Sequence, residues 1–210
     1  MSQDTILLIG AGGHARSCID VLELQGRFRI AGLLGLAEEV GERVLGYPVL
    51  GTERDLQRLR VEHSHALIAV GQIETPGPRI RLFELAQSHA YTLPVVVSPR
   101  AHVSRHALLA AGTIVMHGAL VNAGAVVGSN CILNSRSLVE HDAVIGDHCH
   151  IATGAAINGA VRVAAGTFVG SLTCVRQGLS IGERCVIGMG QRILNDCADG
   201  THVPDRDALS

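Results

Sequence analysis

The sequence predicts an α/β domain with a parallel sheet, followed by a parallel β-helix built from six-residue repeats. Three observations lead to this fold class. An aliphatic residue recurs at every sixth position from Val103 to Ile193 without interruption. A continuous apolar strand, Thr5 to Ile9, runs straight into a glycine-rich turn and an amphipathic segment. Aromatic residues make up only 2% of the chain and tryptophan is absent, so the core must consist of aliphatic and small side chains.

Residues 1–98 are predicted to form the first, Rossmann-like domain, in which strands and helices alternate. This alternation implies a parallel, doubly wound sheet with its ligand at the carboxyl ends of the strands. The predicted strands are Thr5–Ile9, Phe28–Leu34, His65–Gly71 and Thr92–Val97, with a short apolar segment at Gly46–Gly51. The predicted helices are Ser17–Gln25, Glu53–Val61 behind an N-cap at Thr52, and a last one from Pro78 to about His89.

The turn after the first strand carries the clearest binding signal of this domain. It reads Gly10-Ala11-Gly12-Gly13-His14. Glycines there let the backbone approach a phosphate, and the start of the helix offers free N–H groups. These five residues, with Gly71 after a later strand, are therefore candidate substrate-binding residues. Ala15 replaces the third glycine of the dinucleotide fingerprint, which argues against NAD, and a tight turn without any ligand is the alternative interpretation.

Residues 99–210 are predicted to form the β-helix. A period of six fits neither the 3.6 residues of a helical turn nor simple strand alternation, and it is typical of hexapeptide β-helices. A second series of mostly small residues lies two positions before each aliphatic one, which suits a narrow, evenly filled interior. Three hexapeptides would make one coil of eighteen residues. The aliphatic series is Val103, Leu109, Val115, Val121, Val127, Leu133, Val139, Ile145, Ile151, Ile157, Val163, Val169, Val175, Ile181, Ile187 and Ile193.

The six cysteines are predicted to serve packing. Cys131, Cys149 and Cys185 fall in the small inward series and are separated by multiples of eighteen residues, so they should stack along one interior face. The other three have no CxxC spacing. We therefore expect no disulfide and no structural metal.

The charge of the chain does not favour a nucleic-acid or membrane partner. The net charge of −2 gives no support for binding nucleic acid or an anionic membrane through a basic surface. The first residues show no signal-peptide pattern, and no apolar run is long enough to span a bilayer. The sequence thus predicts a cytoplasmic protein with small-molecule partners.

The order of these parts, and above all one segment of the β-helix, resembles a known family. The segment reads Asn134-Ser135-Arg136-Ser137-Leu138-Val139-Glu140-His141-Asp142 and continues to His150 and Asn158-Gly159. It resembles the bacterial hexapeptide family that holds sialic acid O-acetyltransferases and N-acetyltransferases of nucleotide-linked amino sugars. The resemblance implies a left-handed β-helix, acetyl-CoA as co-substrate, and a homotrimer with sites between neighbouring chains.

The same resemblance implies roles for individual residues. His141 would be the general base, which suits imidazole because its ordinary pKa lies nearest neutral pH. Asp142 would orient the ring, with Glu140 as the rival for that role. His150 would lie near the acetyl thioester, the N–H of Gly159 would meet the oxyanion, and Asn134 would lie near the sugar. Gly170, Arg176 and Gly188 are further candidates for acetyl-CoA contacts. A solvent-facing corner histidine is the alternative interpretation of His141.

Substrate and chemistry stay open at this point. Nitrogen acetylation of a nucleotide-linked amino sugar in surface glycan biosynthesis is the leading hypothesis, and O-acetylation of a sialic-acid-type sugar is the alternative. Acidic residues appear after the second strand only at Glu38 and Glu39, which weakens an assignment to UDP-sugars. A non-catalytic nucleotide-binding scaffold is the hypothesis from another class. Candidates for the coenzyme A phosphates are Arg162, Arg176, Arg184 and Arg192.

Overall fold

The computed structural model describes residues 3–205, so the first two and last five residues of the predicted domains lie outside it. The first domain contains a five-stranded sheet in the order β3-β4-β2-β1-β5, parallel except for the β3–β4 pair. Its strands are β1 (Thr5–Ile9), β2 (Arg29–Leu34), β3 (Arg43–Val44), β4 (Tyr47–Gly51) and β5 (His65–Ile68). Its helices are α1 (Gly13–Gln25), α2 (Leu56–Leu59) and α3 (Gly77–Ser88), with 3₁₀ turns at Ala37–Glu39 and Glu53–Asp55.

Both faces of this sheet are buried, which explains why its strands are continuously apolar. Ile6 and Leu8 of β1 pack with α1 on one face. Leu7 and Ile9 pack with α2 and α3 on the other. A parallel sheet covered on both sides has no polar face, so strand alternation disappears from its sequence.

Three predicted elements of this domain differ from the structure. The first helix begins earlier, at Gly13, inside the glycine turn. Thr52 does cap the next segment, accepting a hydrogen bond from the N–H of Arg54, but the segment starts as a 3₁₀ turn. The predicted strand Thr92–Val97 is wrong as a strand of this sheet, because only Thr92 bridges to His65. Pro94 within it has no N–H to donate to a ladder.

The remaining strands, two residues each, form the β-helix. In chain order they are β6 (Val96–Val97), β7 (His102–Val103), β8 (Leu108–Leu109), β9 (Ile114–Val115), β10 (Leu120–Val121), β11 (Val126–Val127), β12 (Ile132–Leu133), β13 (Leu138–Val139), β14 (Val144–Ile145), β15 (His150–Ile151), β16 (Ala156–Ile157), β17 (Arg162–Val163), β18 (Phe168–Val169), β19 (Cys174–Val175), β20 (Ser180–Ile181), β21 (Val186–Ile187), β22 (Arg192–Ile193) and β23 (His202–Val203). Each predicted aliphatic position is the second residue of one strand.

The strands stack into three parallel sheets that form the faces of a prism. The seven-stranded face contains β6, β9, β12, β15, β18, β21 and β23, the six-stranded face runs from β7 to β22, and the five-stranded face runs from β8 to β20. Partners along the stack are eighteen residues apart, as in Leu120 with Leu138 and Leu138 with Ala156, except in the last pair, where Val186 and His202 are sixteen apart. The predicted coil of three hexapeptides is therefore confirmed.

The interior of the prism is filled as the two series predict. Cys131, Cys149 and Cys185 are buried, and the Cys131 and Cys149 thiols donate to the carbonyls of Gly146 and Ala164, both at 3.1 Å. All six cysteines are free thiols.

The first domain docks on the seven-stranded face, a packing that sequence reasoning missed. Outward residues of that face, Ile114 and Ile132, join the same buried cluster as α1. Outward apolar residues eighteen positions apart also occur on the six-stranded face, at Leu120 and Leu138, so this spacing alone does not identify the docking face. None of the helices within residues 3–205 is long and apolar enough to cross a bilayer.

Arg79 of α3 is the charged centre of this docking. It is fully buried, and its Nη1 donates to the carbonyls of Ile68 (2.7 Å) and Val70 (2.8 Å) at the end of β5. Its Nε donates to the carbonyl of Asn130 (3.0 Å) in the β-helix. Burial lowers the pKa of Arg79 to about 10. This one cation therefore hydrogen-bonds both to the carboxyl end of β5 and to the β-helix.

Candidate active site

A cavity of about 370 Å³ opens at the carboxyl ends of β1, β2 and β5. This is where a parallel α/β sheet places its ligand. All six residues predicted for substrate in the first domain line it, namely Gly10, Ala11, Gly12, Gly13, His14 and Gly71.

The glycines of the turn differ in what they contribute. Gly10 has a φ of 122°, and a Cβ there would lie 2.9 Å from the carbonyl carbon of Ala69. A Cβ added at Gly12 or Gly13 would meet no other atom within 4 Å. Gly10 is therefore required by the fold, whereas Gly12 and Gly13 leave open space at the start of α1 that a ligand can use.

Two carboxylates line this cavity, and the sequence did not predict them there. Glu39 lines the cavity because the 3₁₀ turn folds it back, and its Oε2 accepts a hydrogen bond from the N–H of Leu36 at 2.7 Å. Glu53 and Arg81, from two different elements, also line it and form a two-pronged ion pair at 2.9 and 2.7 Å. The cavity therefore holds two carboxylates and one guanidinium.

His14 is a neutral group at the base of the cavity. Burial, with smaller effects of Arg79 and His150, lowers its pKa to about 3. Its Nε2 is buried and has no hydrogen-bond partner among residues 3–205. An imidazole in that state can form a hydrogen bond without adding charge.

His150 and Asn134 lie close to this cavity, at the junction of the domains. The His150 ring is buried, with Nδ1 2.6 Å from the carbonyl of Gln72 and Nε2 3.0 Å from Nδ2 of Asn134. Nδ1 must donate to the carbonyl, so Nε2 accepts from the amide. Burial lowers the pKa of His150 to about 4, which keeps this neutral tautomer near pH 7.

His141 lies elsewhere, at the corner between the six-stranded and five-stranded faces. Its Nδ1 is 2.9 Å from Oδ2 of Asp142, and both side chains are about two-thirds exposed, at 65% and 69%. The hydrogen bond to Asp142 raises the pKa of His141. Asp142 adopts a left-handed φ of 60° and packs against Gly124.

Glu140 is held away from the imidazole. Its Oε2 accepts hydrogen bonds from Nδ2 of Asn122 at 2.7 Å and from the N–H of His141 at 3.2 Å. The structure thus gives Asp142 the contact with the ring that the sequence left open between two carboxylates.

Gly159 lies one coil further along the same corner, directly beneath the ring. A Cβ at this position would be 2.7 Å from Nε2 of His141, so only glycine lets the ring lie there. The N–H of Gly159 has no hydrogen-bond partner among the described residues. A free N–H beside a candidate base is the arrangement that an oxyanion donor needs.

The predicted site residues fall into two groups that one chain does not bring together. Asn134, Gly170 and Gly188 follow strands of the seven-stranded face, on the side of the first domain. His141, Gly159 and Arg176 follow strands of the six-stranded face, at the corner opposite that domain. Within residues 3–205, no group of three or more His, Cys, Asp or Glu side chains could hold a metal ion.

Family models match both parts of the chain. The PglD N-terminal domain model matches residues 5–82. The bacterial transferase hexapeptide model, with six repeats, matches residues 124–159. No curated protein sequence matches the chain significantly.

Solved structures match nearly the whole chain. A histidine variant of perosamine N-acetyltransferase from Caulobacter crescentus, in complex with CoA and GDP-perosamine, is 30% identical, with a TM-score of 0.90 over 97% of this chain and 94% of that one. The acetyltransferase domain of PglB from Neisseria gonorrhoeae, with acetyl coenzyme A, is also 30% identical, with a TM-score of 0.88 and 97% of both chains covered. WeeI from Acinetobacter baumannii, at 21% identity and a TM-score of 0.75, shares the fold. These matches confirm the predicted fold class, an α/β domain followed by a left-handed parallel β-helix.

Proposed function

The chain belongs to the bacterial family of sialic acid O-acetyltransferases and nucleotide-amino-sugar N-acetyltransferases, and from this premise we propose that it acetylates the amino group of a nucleotide-linked amino sugar. As a member of this family it is an acyltransferase with acetyl-CoA as its co-substrate. The relatives' complexes with GDP-perosamine and with acetyl coenzyme A support this choice of substrates. The product would serve the biosynthesis of a surface glycan.

The observation that carries the proposal is the arrangement of Asp142, His141 and Gly159. Asp142 accepts a hydrogen bond from Nδ1–H of His141, which leaves the Nε2 lone pair of His141 free to take a proton from the sugar amine. The amine nitrogen forms a bond to the acetyl carbonyl carbon, and the free N–H of Gly159 meets the resulting oxyanion. The carbon–sulfur bond then breaks, and the proton held by His141 passes to the departing thiolate.

Direct transfer fits the cysteines as well as the histidine. Cys149, the cysteine nearest in sequence to the candidate base, is buried inside the prism. The neighbouring Cys131 thiol and burial raise the pKa of Cys149 well above its ordinary value, so it is not a thiolate near neutral pH. A covalent acyl-enzyme is therefore not part of the proposal.

The nucleotide sugar is assigned to the cavity of the first domain. The start of α1 at Gly12 and Gly13 offers backbone N–H groups and a helix dipole to the diphosphate. His14 adds a neutral hydrogen-bonding group, and Asn134 lies toward the sugar. The predicted contact of His150 with the acetyl thioester stays a prediction, and its buried ring supports a second role, orienting the amide of Asn134.

The proposed active site joins two copies of the chain. The cavity lies with the docked domain and His141 lies at the opposite corner, so the site becomes complete only if a neighbour's corner approaches the cavity. A closed symmetric assembly repeats such a contact around an axis, and we propose a homotrimer. In it, Gly159 and Arg176 would line the acetyl-CoA side, with Gly170 and Gly188 along the other corner.

A coenzyme A release assay tests the proposed reaction. Acetyl-CoA is offered with UDP-, GDP- and dTDP-linked 4-amino sugars beside free and CMP-linked sialic acids, using the wild type and His141→Ala. We expect thiol release with at least one amino sugar, and its loss in the variant with an unchanged melting temperature. Turnover confined to sialic acids would move the chain to O-acetylation, and a variant with more than about a tenth of wild-type activity would exclude His141 as the base.

A further inference from the structure

The side chains around the cavity of the first domain carry an excess of negative charge, although the nucleotide sugar assigned to it is itself an anion. The charged residues that line it are Glu39, Glu53 and Arg81, which are two carboxylates and one guanidinium. His14 adds no positive charge near neutral pH, because burial lowers its pKa to about 3. A carboxylate repels a diphosphate, so these two carboxylates must face hydrogen-bond donors of the ligand. On a nucleoside diphosphate those donors are the ribose hydroxyls and the N–H groups of the base.

The order of the strands places Glu53 at the base end of such a ligand. In the sheet, β2 lies between β1 and β4. The helix α1 follows β1, Glu39 follows β2, and Glu53 follows β4. Adjacent strands are about 4.8 Å apart, so the carboxyl end of β4 lies roughly 10 Å from that of β1. A diphosphate at the start of α1 therefore places the ribose beside β2 and the base beside β4.

Glu53 is held in one orientation by Arg81 and stays accessible from the cavity. Nη1 and Nη2 of Arg81 donate to Oε1 and Oε2 of Glu53, at 2.9 and 2.7 Å. The hydrogen bonds from Arg81 lower the pKa of Glu53, so it is a carboxylate near neutral pH. The Glu53 side chain is 40% exposed, and each of its oxygens has a second lone pair. The carboxylate can therefore accept two further hydrogen bonds from a ligand.

We propose that Glu53, oriented by Arg81, recognises the base of the nucleotide sugar and selects guanine. The inference rests on the acetylation of a nucleotide-linked sugar proposed above and names the nucleotide. Guanine presents two adjacent donors, N1–H and one N–H of its 2-amino group, which match the two oxygens of one carboxylate. Uracil and thymine present a single N–H between two carbonyl oxygens, and adenine and cytosine place a ring-nitrogen acceptor beside their amino group. Each of these bases would bring an acceptor lone pair against the carboxylate, which a buried polar contact penalises.

Apolar side chains of the same cavity supply the walls that a planar base needs. Leu36 and Pro78 both line the cavity and are exposed, Leu36 to 63%. Exposed apolar surface combined with a few polar groups is typical of a small-molecule site. A purine covers more of this surface than a pyrimidine does, which favours guanine over uracil independently of the hydrogen bonds.

Equilibrium binding of GDP, IDP and UDP tests base recognition apart from catalysis. The proteins are the wild type, Glu53→Gln and the control Glu62→Gln, which neutralises an exposed carboxylate outside the cavity. IDP is the sharpest probe, because hypoxanthine keeps N1–H and lacks only the 2-amino group. In the wild type and the control we expect the Kd of IDP to be about tenfold, and that of UDP about a hundredfold, above the Kd of GDP. In Glu53→Gln, at an unchanged melting temperature, GDP should bind about tenfold more weakly and within about twofold of IDP.

Equal affinities for GDP and IDP in the wild type, or a preference for GDP that Glu53→Gln leaves intact, would overturn the role of Glu53. Tighter binding of UDP than of GDP would overturn the choice of guanine. A preference for GDP that depends on Glu53, in a protein that acetylates none of the offered amino sugars, would support base recognition and contradict only the proposed function. Acetyl transfer to UDP-linked but not to GDP-linked amino sugars would do the reverse.

Discussion

At the scale of single residues, the imidazole of His141 is fixed by two neighbours that the repeat supplies. Asp142 follows it in the chain and reaches Nδ1, and Gly159 lies beneath Nε2 one coil later. The adjacency of His141 and Asp142 is visible in the sequence. The role of Gly159 depends on the stacking of coils, so only the eighteen-residue register connects it with the histidine.

The carboxylate of Asp142 should set the acidic limb of the pH–activity profile. Because it raises the pKa of His141, the neutral base forms only as the pH rises through that raised value. In Asp142→Asn we expect the acidic limb of kcat/KM to move to lower pH, and kcat to fall about tenfold or more because the ring loses its oriented tautomer. The pH dependence of kcat/KM between pH 5 and about 9 measures both effects.

Asp142→Glu is the control, because it keeps the charge and should keep the limb near its wild-type position. An unchanged acidic limb in Asp142→Asn would show that the titrating group is not His141.

At the scale of elements, the turn between β1 and α1 combines a structural glycine with two that face open space. Gly10 has a φ of 122° and close backbone neighbours, whereas Gly13 has neither constraint. The sequence alone shows only a run of glycines, and the backbone angles separate their roles.

Gly10→Ala should therefore affect the stability of the fold, whereas Gly13→Val should affect binding of the acceptor. Gly10→Ala forces a Cβ against Ala69 and Val70, so we expect a lower free energy of unfolding, by about 1–3 kcal/mol. Gly13→Val places its side chain in the cavity, so we expect the acceptor KM to rise about tenfold or more with little change in melting temperature or acetyl-CoA KM. Urea unfolding and steady-state kinetics on both variants provide the measurement, and an unchanged acceptor KM in Gly13→Val would remove the turn from the substrate site.

The strand β6 was predicted for the α/β sheet but belongs to the β-helix. Val96–Val97 lies in a segment that reads as a last strand of the α/β sheet, yet it pairs with Ile114–Val115 of the β-helix. Its side chains satisfy both predictions equally, because a β-branched apolar run suits either sheet. The spatial position of the next coil decided between them.

At the scale of the whole molecule, buried polar side chains lie at the junction of the two domains. His14 and His150 lie on either side of this junction, and burial lowers both pKa values well below that of an unfolded histidine. His117 also bridges the domains, with its Nδ1 2.6 Å from Oγ of Ser98 and its Nε2 2.7 Å from Oδ2 of Asp20.

The buried histidines should make the protein sensitive to acid below about pH 6.5. The unfolded state binds protons there while the folded state does not, so stability is lost as pH falls from 6.5 toward about 4, the pKa of His150. Each such histidine adds a slope of about 1.4 kcal/mol per pH unit. His150→Gln should flatten the wild-type slope by that amount, and the exposed His106→Gln should leave it unchanged, as measured by urea unfolding at several pH values.

A site divided between copies predicts complementation. At an acceptor concentration well below its KM, mixed oligomers of His141→Ala and Gly13→Val chains should be more active than either parent, because one kind of interface pairs an intact cavity with an intact His141. With random mixing, roughly a quarter of the wild-type activity should return. The measurement is coenzyme A release after co-expression or joint refolding, and activity no higher than that of the parents would place the whole site within one chain.

The β-helix and the segment around His141 were determined by the sequence itself. Every coil buries its residues by the same local rule, so the interior appears as a six-residue period, and His141 with Asp142 are neighbours in the chain. The tertiary structure alone decided the docking of the domains, the return of Glu39 to the cavity of the first domain, the buried hydrogen bonds of Arg79, and the separation of His141 from that cavity. These contacts join residues far apart in sequence, and each occurs only once. They therefore leave no repeated pattern in the sequence from which they could be predicted.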